Sequence, residues 1–316
     1  VQPTMQNAFT LAQIADLHVP PVRVPRACDL LNKRLGGWIS WKARRHRIFR
    51  REILDALIED LKVQDPDHIA VTGDLINFAL EEEFVAAALW LRRLGPPRLI
   101  SVVPGNHDAY VPLAAARSWD HWAPYMASDH APRVLITEDS FPTVRMRGLV
   151  AVVGLCSAQP TEWSRAWGTV GPEQLERLEL LLGELGRHGL CRVVQIHHPP
   201  LDERISQRSR LTDSACLREV LARAGAELVM HAHAHVTSVD SIAGPENPIP
   251  VVGVRSASNL GRKTDERAQY HLYRIEEHRT ATQATRYRIT MAIRGWDAEA
   301  YRFAAVSRRE LTGSTH

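Results

Sequence analysis

Five times along this chain a short apolar run stops abruptly on residues that bind metals or move protons. The run "FTLAQIA" (9–15) gives way to Asp16-Leu17-His18, "HIAVT" (68–72) to Gly73-Asp74, and "RLISVV" (98–103) to Pro104-Gly105-Asn106-His107-Asp108. Later, "CRVVQI" (191–196) meets His197-His198-Pro199-Pro200, and "AELVM" (226–230) meets His231-Ala232-His233-Ala234-His235. In open α/β sheets ligands bind just beyond the carboxyl ends of the strands. A fold that brings these five ends together therefore gathers carboxylates, imidazoles and one amide in a single place. Each motif alone has a plainer reading. Gly-Asp is ordinary turn chemistry, because Gly tolerates positive φ and Asp bonds nearby amides. Asp-x-His and Gly-Asn-His-Asp also read as turns or loops, His-His-Pro-Pro as a rigid exit loop, and the histidine run as a surface tract. Their joint occurrence at successive strand ends is what argues for function.

Helices separate the strands. Ile48 to Lys62 places Phe49, Ile53, Leu57 and Leu61 on one face at helical spacing, and Glu81 to Leu94 opens with acidic residues in its first turn. Further helices are expected at Pro172–Arg187 and about 213–224. Strands are expected at 142–146, 149–155, 236–242, 250–254, 270–275 and 285–293. Alternation of short strands with helices predicts an α/β architecture with parallel strands. No internal repeat or low-complexity tract divides the sequence, and "AGPENP" (243–248) is a turn between strands. We expect one domain over 1–316, with an insertion at about 19–46 and a strand-rich C-terminal part from about 236.

Composition narrows the classes. With 45% hydrophobic and 24% charged residues the chain has the makeup of a soluble globular protein. Its 39 basic residues are nearly balanced by 36 acidic ones, which disfavours a nucleic-acid partner. Cys28, Cys156, Cys191 and Cys216 form no Cys-x-x-Cys pair, so neither a disulfide scaffold nor a thiolate zinc site is indicated. No apolar run approaches the roughly 20 residues that span a bilayer, and no signal peptide is read at the start. A cytoplasmic setting is expected.

Imidazole, carboxylate and amide oxygen without thiolate suit manganese, iron or zinc better than calcium or magnesium. One carboxylate shared by two cations holds them about 3.5–4 Å apart, as two-metal phosphoryl chemistry requires. Asp74 is the candidate bridge. The ordered set Asp-x-His, Gly-Asp, Gly-Asn-His-Asp, His and His-x-His, running from Asp16 to His235, resembles the calcineurin-like metallophosphoesterase superfamily, in particular its bacterial-type phosphodiesterase branch. The resemblance implies two mixed β-sheets packed as a sandwich flanked by helices, with two transition-metal ions (Mn, Fe or Zn) at the sheet edges. It assigns Asp16, His18 and His235 to one metal, Asn106, His197 and His233 to the other, and Asp74 to both. It also implies in-line attack by a metal-bridging hydroxide, with His107 as general acid or transition-state donor. His198 and Asp108 are expected to support the ligands. Some relatives orient the equivalent of His107 with a carboxylate three residues after the bridging Asp; Asn77 stands there and adds no charge. The family's Gly-His-x-His has Ala232 in place of its glycine.

A small phosphodiester is the expected substrate, with phosphomonoesters open to the same site. Arg204, Arg208 and Arg210, in the loop 201–212, are candidate phosphate or carboxylate contacts. The segment "LNKRLGGWISWKARRHRIFRR" (31–51) has eight Lys or Arg and no acid, with Trp38 and Trp41 three apart. It reads either as a peripheral membrane contact through residues 33–51, facing anionic lipid, or as a basic cap over the site with its tryptophans buried. Relatives that cleave the pyrophosphate of a lipid-linked nucleotide sugar carry comparable inserts, which makes such a membrane-surface pyrophosphohydrolase the alternative. Superfamily members that have lost their metals serve as non-catalytic binding scaffolds, but all seven expected ligand positions are filled here.

Overall fold

Nearly every apolar run read from the sequence becomes a strand, and each stops where its polar residues begin. The protein's structure is a computed structural model, which describes residues 8–20, 24–129, 136–203, 205–277 and 287–312. The chain opens with β1 (Ala8–Ile14), α1 (Arg34–Ala43), α2 (Arg51–Gln64) and β2 (His68–Val71). Next come α3 (Glu81–Leu94), β3 (Ile100–Val102), the single-turn α4 (Ala123–Met126), β4 (Thr143–Arg147) and β5 (Val150–Gly154). The elements α5 (Pro172–Arg187), β6 (Cys191–Gln195), α6 (Ser214–Ala224) and β7 (Leu228–His231) follow. The chain ends in β8 (Ser238–Ile242), β9 (Ile249–Gly253), β10 (Gln269–Glu277), β11 (Tyr287–Asp297) and β12 (Arg302–Glu310).

These strands build two mixed six-stranded sheets, in the orders β12-β11-β10-β1-β2-β3 and β4-β5-β6-β7-β9-β8. The strands that carry the candidate ligands run parallel within each sheet, β1 beside β2 beside β3 and β6 beside β7. Their carboxyl ends consequently lie at one edge of the sandwich. Between the sheets, Leu11, Ala70, Tyr273, Ile289 and Met291 of the first meet Val152, Val193, Met230 and Val252 of the second in a buried layer. On the outer faces, Ile53, Leu57 and Leu61 of α2 and Phe84 and Leu91 of α3 cover the first sheet. Leu178 and Leu182 of α5 and Leu217 and Leu221 of α6 cover the second. Each such side chain contributes about 1.5–3 kcal/mol on burial, which anchors the strand ends firmly.

Two elements depart from the sequence reading. Helix α2 starts at Arg51 rather than near Ile48, because Arg50 is extended and Phe49 instead forms a bridge with Asn259. Strand β12 is not legible in the sequence. It is an edge strand in which only Phe303 is buried, so the alternation that betrays a half-buried strand is lost under exposed charge.

Candidate metal centre

The backbone at the strand ends is held in an unusual conformation. Asp16, His18, Asp74, His233 and His235 all take the left-handed region, with φ of 49°, 42°, 54°, 67° and 53°. Non-glycine residues there cost about 1–3 kcal/mol each and persist only where the surroundings enforce them. The enforcement is visible after β1, where Asp16 N–H donates to Gly73 O at 2.9 Å, His18 N–H to Asp74 O at 3.1 Å and Val19 N–H to Leu75 O at 2.8 Å. Ser256 Oγ donates to Asp16 O at 2.7 Å. Gly73, at φ 95°, has no room for a side chain, since a Cβ there would lie 2.6 Å from His197 Nδ1 and 2.7 Å from Gly105 N. A Cβ on Gly105 would strike the Asp74 carboxylate. Ala232, by contrast, is not among the left-handed residues, so the methyl group that replaces the family's glycine is accommodated.

The side chains converge in two groups, Asp16 with His18 and His235, and Asp74 with His197 and His233. Backbone carbonyls orient three of the imidazoles. His18 Nδ1–H donates to Ile76 O at 2.9 Å, His197 Nδ1–H to Thr72 O at 2.8 Å, and His233 Nε2–H to Ser209 O at 3.0 Å. A carbonyl only accepts, so the opposite nitrogen of each ring keeps a lone pair aimed at the centre. His197 Nε2 then lies 3.1 Å from Asn106 Oδ1, 3.2 Å from His233 Nδ1 and 3.5 Å from Asp74 Oδ2. His235 Nε2 lies 3.6 Å from Asp16 Oδ1. Acceptors facing acceptors across such gaps repel one another, and a shared cation resolves the repulsion. Both oxygens of buried Asp16 have no hydrogen-bond partner. Burial, with the Asp74 carboxylate adding to it, pushes the Asp16 carboxyl well above its usual range. Burial drives Asp74 itself up to about 7, against the opposing hydrogen bond from His107 N–H. Orphaned oxygens, crowded carboxylates and inward lone pairs all fit two bound cations. Asp74 belongs to the second group, and its carboxylate is close enough to push up that of Asp16 in the first.

The surrounding residues divide into those the sequence reading named and those it missed. Asp108 ties two site loops together by accepting from the N–H groups of Leu75, Ile76 and Gly105. His198 turns away from the centre, with Nδ1 2.8 Å from Ser157 Oγ and Nε2 3.1 Å from Ala166 O, while its ring packs on His233. The choice of His197 over its neighbour as the inward imidazole thus matches the geometry. His107 Nδ1–H donates to the carbonyl of Asn77 at 2.6 Å, so it is the backbone of residue 77, not the side chain, that orients this ring. Burial, followed by the nearby Arg45 guanidinium, holds His107 well below its ordinary pKa. Arg208 is exposed and does not line the cleft; Arg204 lies outside the described residues. The arginines that do line this cleft of about 740 Å³ are Arg44, Arg45, Arg255 and Arg262. Glu83 was also missed. From the first turn of α3 its buried carboxylate accepts from the N–H groups of Asn77, Phe78 and Leu80, shaping the loop that follows Asp74.

The insertion folds back over this loop. Trp38 and Trp41 of α1 stack with centroids 5.0 Å apart, and both present edges to Phe78, at 6.0 and 6.3 Å. Arg34 donates to the carbonyls of Phe78 and Ala79, and Lys33 Nζ to Arg165 O. Three of the eight basic residues in the run, Lys33, Arg34 and Arg45, therefore point inward.

With this geometry established, comparison with known proteins is direct. The calcineurin-like phosphoesterase family matches residues 9–237. No curated protein matches the sequence. Among solved structures, a dimetal phosphatase from Danio rerio superposes with a TM-score of 0.62 at 11% identity, covering 97% of this chain and 99% of that one. A purple acid phosphatase from yellow lupin (Lupinus luteus) seeds gives 0.56 at 12% identity, over 92% of this chain and 52% of that one. The NAD nucleotidase of Haemophilus influenzae gives 0.52 at 10% identity, over 95% and 54%. At such identities these likenesses establish the fold, and the family match adds the sequence relationship. Its two groups of inward-facing residues are candidate metal ligands, and the chain belongs to the calcineurin-like phosphoesterase family.

Proposed function

We propose that this protein is a dinuclear metal-dependent phosphohydrolase that cleaves a small phosphodiester. The observation that carries the reading is the pair of converging ligand groups, Asp16 with His18 and His235 and Asp74 with His197 and His233, the second with His197 Nε2 facing Asn106 Oδ1 and His233 Nδ1 at 3.1 and 3.2 Å. Asp16, His18 and His235 would hold one cation, Asn106, His197 and His233 the other, and Asp74 both. When bound, two such cations supply Lewis acidity toward a phosphoryl group and lower the pKa of water to about 7. The chain's own residues do the rest. Thr72, Ile76 and Ser209 carbonyls fix the imidazole tautomers, and Asp108 and Glu83 fix the loops. His107 presents Nε2 to the cleft beside the reacting group. A cleft of about 740 Å³ exceeds what inorganic phosphate needs and suits a phosphoryl group bearing an organic substituent. Asp74→Asn should lose at least one metal per chain by elemental analysis and fall about 100-fold or more in rate on bis-nitrophenyl phosphate. Two retained metals with an undiminished rate would refute the bridge.

A second reading, a membrane-surface pyrophosphohydrolase of a lipid-linked nucleotide sugar, is favoured by one specific observation. Leu31, Leu35 and Ile39, spaced four apart, are 85%, 39% and 61% exposed. Exposed Lys42 and Arg47 follow them. An apolar line with basic residues at its end suits an anionic lipid surface. Leu35→Ser with Ile39→Ser should abolish flotation with phosphatidylglycerol vesicles and leave hydrolysis of a soluble diester within about twofold. Parent protein that stays off such vesicles at low salt eliminates this reading.

A further inference from the structure

The insertion also delivers a charge to the metal centre. Arg45 opens the short helical turn Arg45–Arg47 that follows α1. Its Nη1 lies 3.2 Å from His107 Nε2, its Nη2 3.1 Å from His18 Nε2, and its guanidinium carbon 5.2 Å from the Phe49 ring centroid. It lines the same cleft as Asp74, Asn106 and His107. We infer that Arg45 binds a phosphoryl oxygen of the substrate, so that the insertion is part of the catalytic centre rather than only its roof. This inference rests on the phosphohydrolase reading above and adds a residue to it.

The argument is one of charge and geometry. The hydrogen-bond acceptors around this guanidinium are neutral imidazole nitrogens, and no carboxylate among the described residues forms an ion pair with it. The Asp74 and Asp16 carboxylates attract this partly buried charge without forming an ion pair with it, so a direct anionic partner is left for a ligand to supply. A guanidinium offers five donors in a flat fork that matches two oxygens of a phosphoryl group, and one fork reaching both His18 and His107 spans the space where such oxygens would sit. Arg34 and Lys33 show what structural basic residues in the same segment do. Arg34 is spent on the carbonyls of Phe78 and Ala79, and Lys33 on Arg165 O, whereas Arg45 reaches past the backbone to the centre. Because His18 Nε2 is the nitrogen free to bind a cation, Arg45 and that cation compete for one lone pair. Removing the arginine should therefore leave metal affinity unchanged or tighter, the opposite of what loss of a structural support would do.

The test uses full-length protein loaded with manganese and inorganic phosphate as the probe. For Arg45→Gln we expect two metals per chain by elemental analysis, phosphate affinity by calorimetry weakened at least tenfold, and kcat/KM on a nitrophenyl diester lowered about 10²–10³-fold, the size of a lost transition-state donor. Arg45→Lys, which keeps charge but not the fork, should fall between the two. Phosphate affinity within twofold of the parent in either variant overturns the inference, and so does loss of metal in both. If Arg45→Gln fails to fold, Arg45→Lys decides by the same criterion. Parent protein that takes up two metals yet neither binds phosphate nor cleaves any phosphoester overturns the phosphohydrolase reading itself, whereas equal phosphate binding by parent and variant overturns only the role of Arg45.

Discussion

His107 shows how one residue's environment sets its chemistry. Its Nδ1–H is committed to Asn77 O, it is buried, and Arg45 sits 3.2 Å from Nε2, so the free protein holds the ring neutral. An incoming phosphoryl anion opposes both causes, favouring protonation of Nε2 only when substrate is present. We expect His107→Ala to keep two metals and lose about 10²–10⁴-fold in rate on an alkyl diester. On a nitrophenyl diester, whose leaving oxygen needs no proton, the loss should shrink severalfold; equal losses would remove the proton-donor role. Gly73 is as constrained as any ligand. Gly73→Ala forces a methyl group to within 2.6 Å of His197 Nδ1 at a φ that alanine disfavours. It should lower metal content and, by a few degrees, Tm, without touching any ligand's chemistry.

At the scale of elements, the insertion is the part whose reading changed most once the chain was folded. The sequence offered a basic, tryptophan-bearing helix with two readings, a membrane contact or a cap, and α1 folds back on the loop after Asp74. The tryptophans pack inward on Phe78, three residues before α3 begins, while Leu35 and Ile39 are exposed. Trp38→Ser with Trp41→Ser should therefore destabilise the protein by about 2 kcal/mol through lost stacking and burial, read as a fall in Tm of roughly 4–8 °C. It should also slow hydrolysis of a soluble diester, because the cap positions Arg45. An unchanged Tm would mean that the tryptophans are not a structural part of the cap.

For the whole molecule, the interior between the sheets carries further buried histidines outside the two ligand groups. His68, 3.0 Å from Ser101 Oγ, and His271, 3.3 Å from Tyr273 Oη, are both fully buried, and burial pushes each down to about 3. From pH 6.5 down to about 3 the unfolded chain binds these protons and the folded one does not. Their stabilisation is thus complete above pH 6.5 and is lost progressively as pH falls toward the folded values. At pH 5 the loss is about 2 kcal/mol for each histidine. Urea midpoints of the chelator-treated protein should drop between pH 7 and pH 5, and His68→Gln should flatten that slope. A slope unaffected by the substitution would place the proton uptake elsewhere.

The strand ends, the α5 and α3 helices and the candidate ligand residues gathered at those ends were legible in the sequence because each depends on local pattern: an apolar run of strand length, a helical period, and an Asp, Asn or His where the run stops. What the sequence could not contain was direction across space. Whether residue 77 meets His107 through its side chain or its carbonyl depends on how the loop after Asp74 is folded, and that fold is set by Glu83 and Asp108 accepting from its amides. Arg45 looked like one charge among eight, and Arg208 like a better candidate for the cleft. Where the first points is decided by the insertion folding back on Phe78, because a side chain's target is fixed by contacts between segments that no sequence pattern relates. Residue types chose the chemistry; the left-handed strand ends and the folded-back insertion chose where that chemistry points.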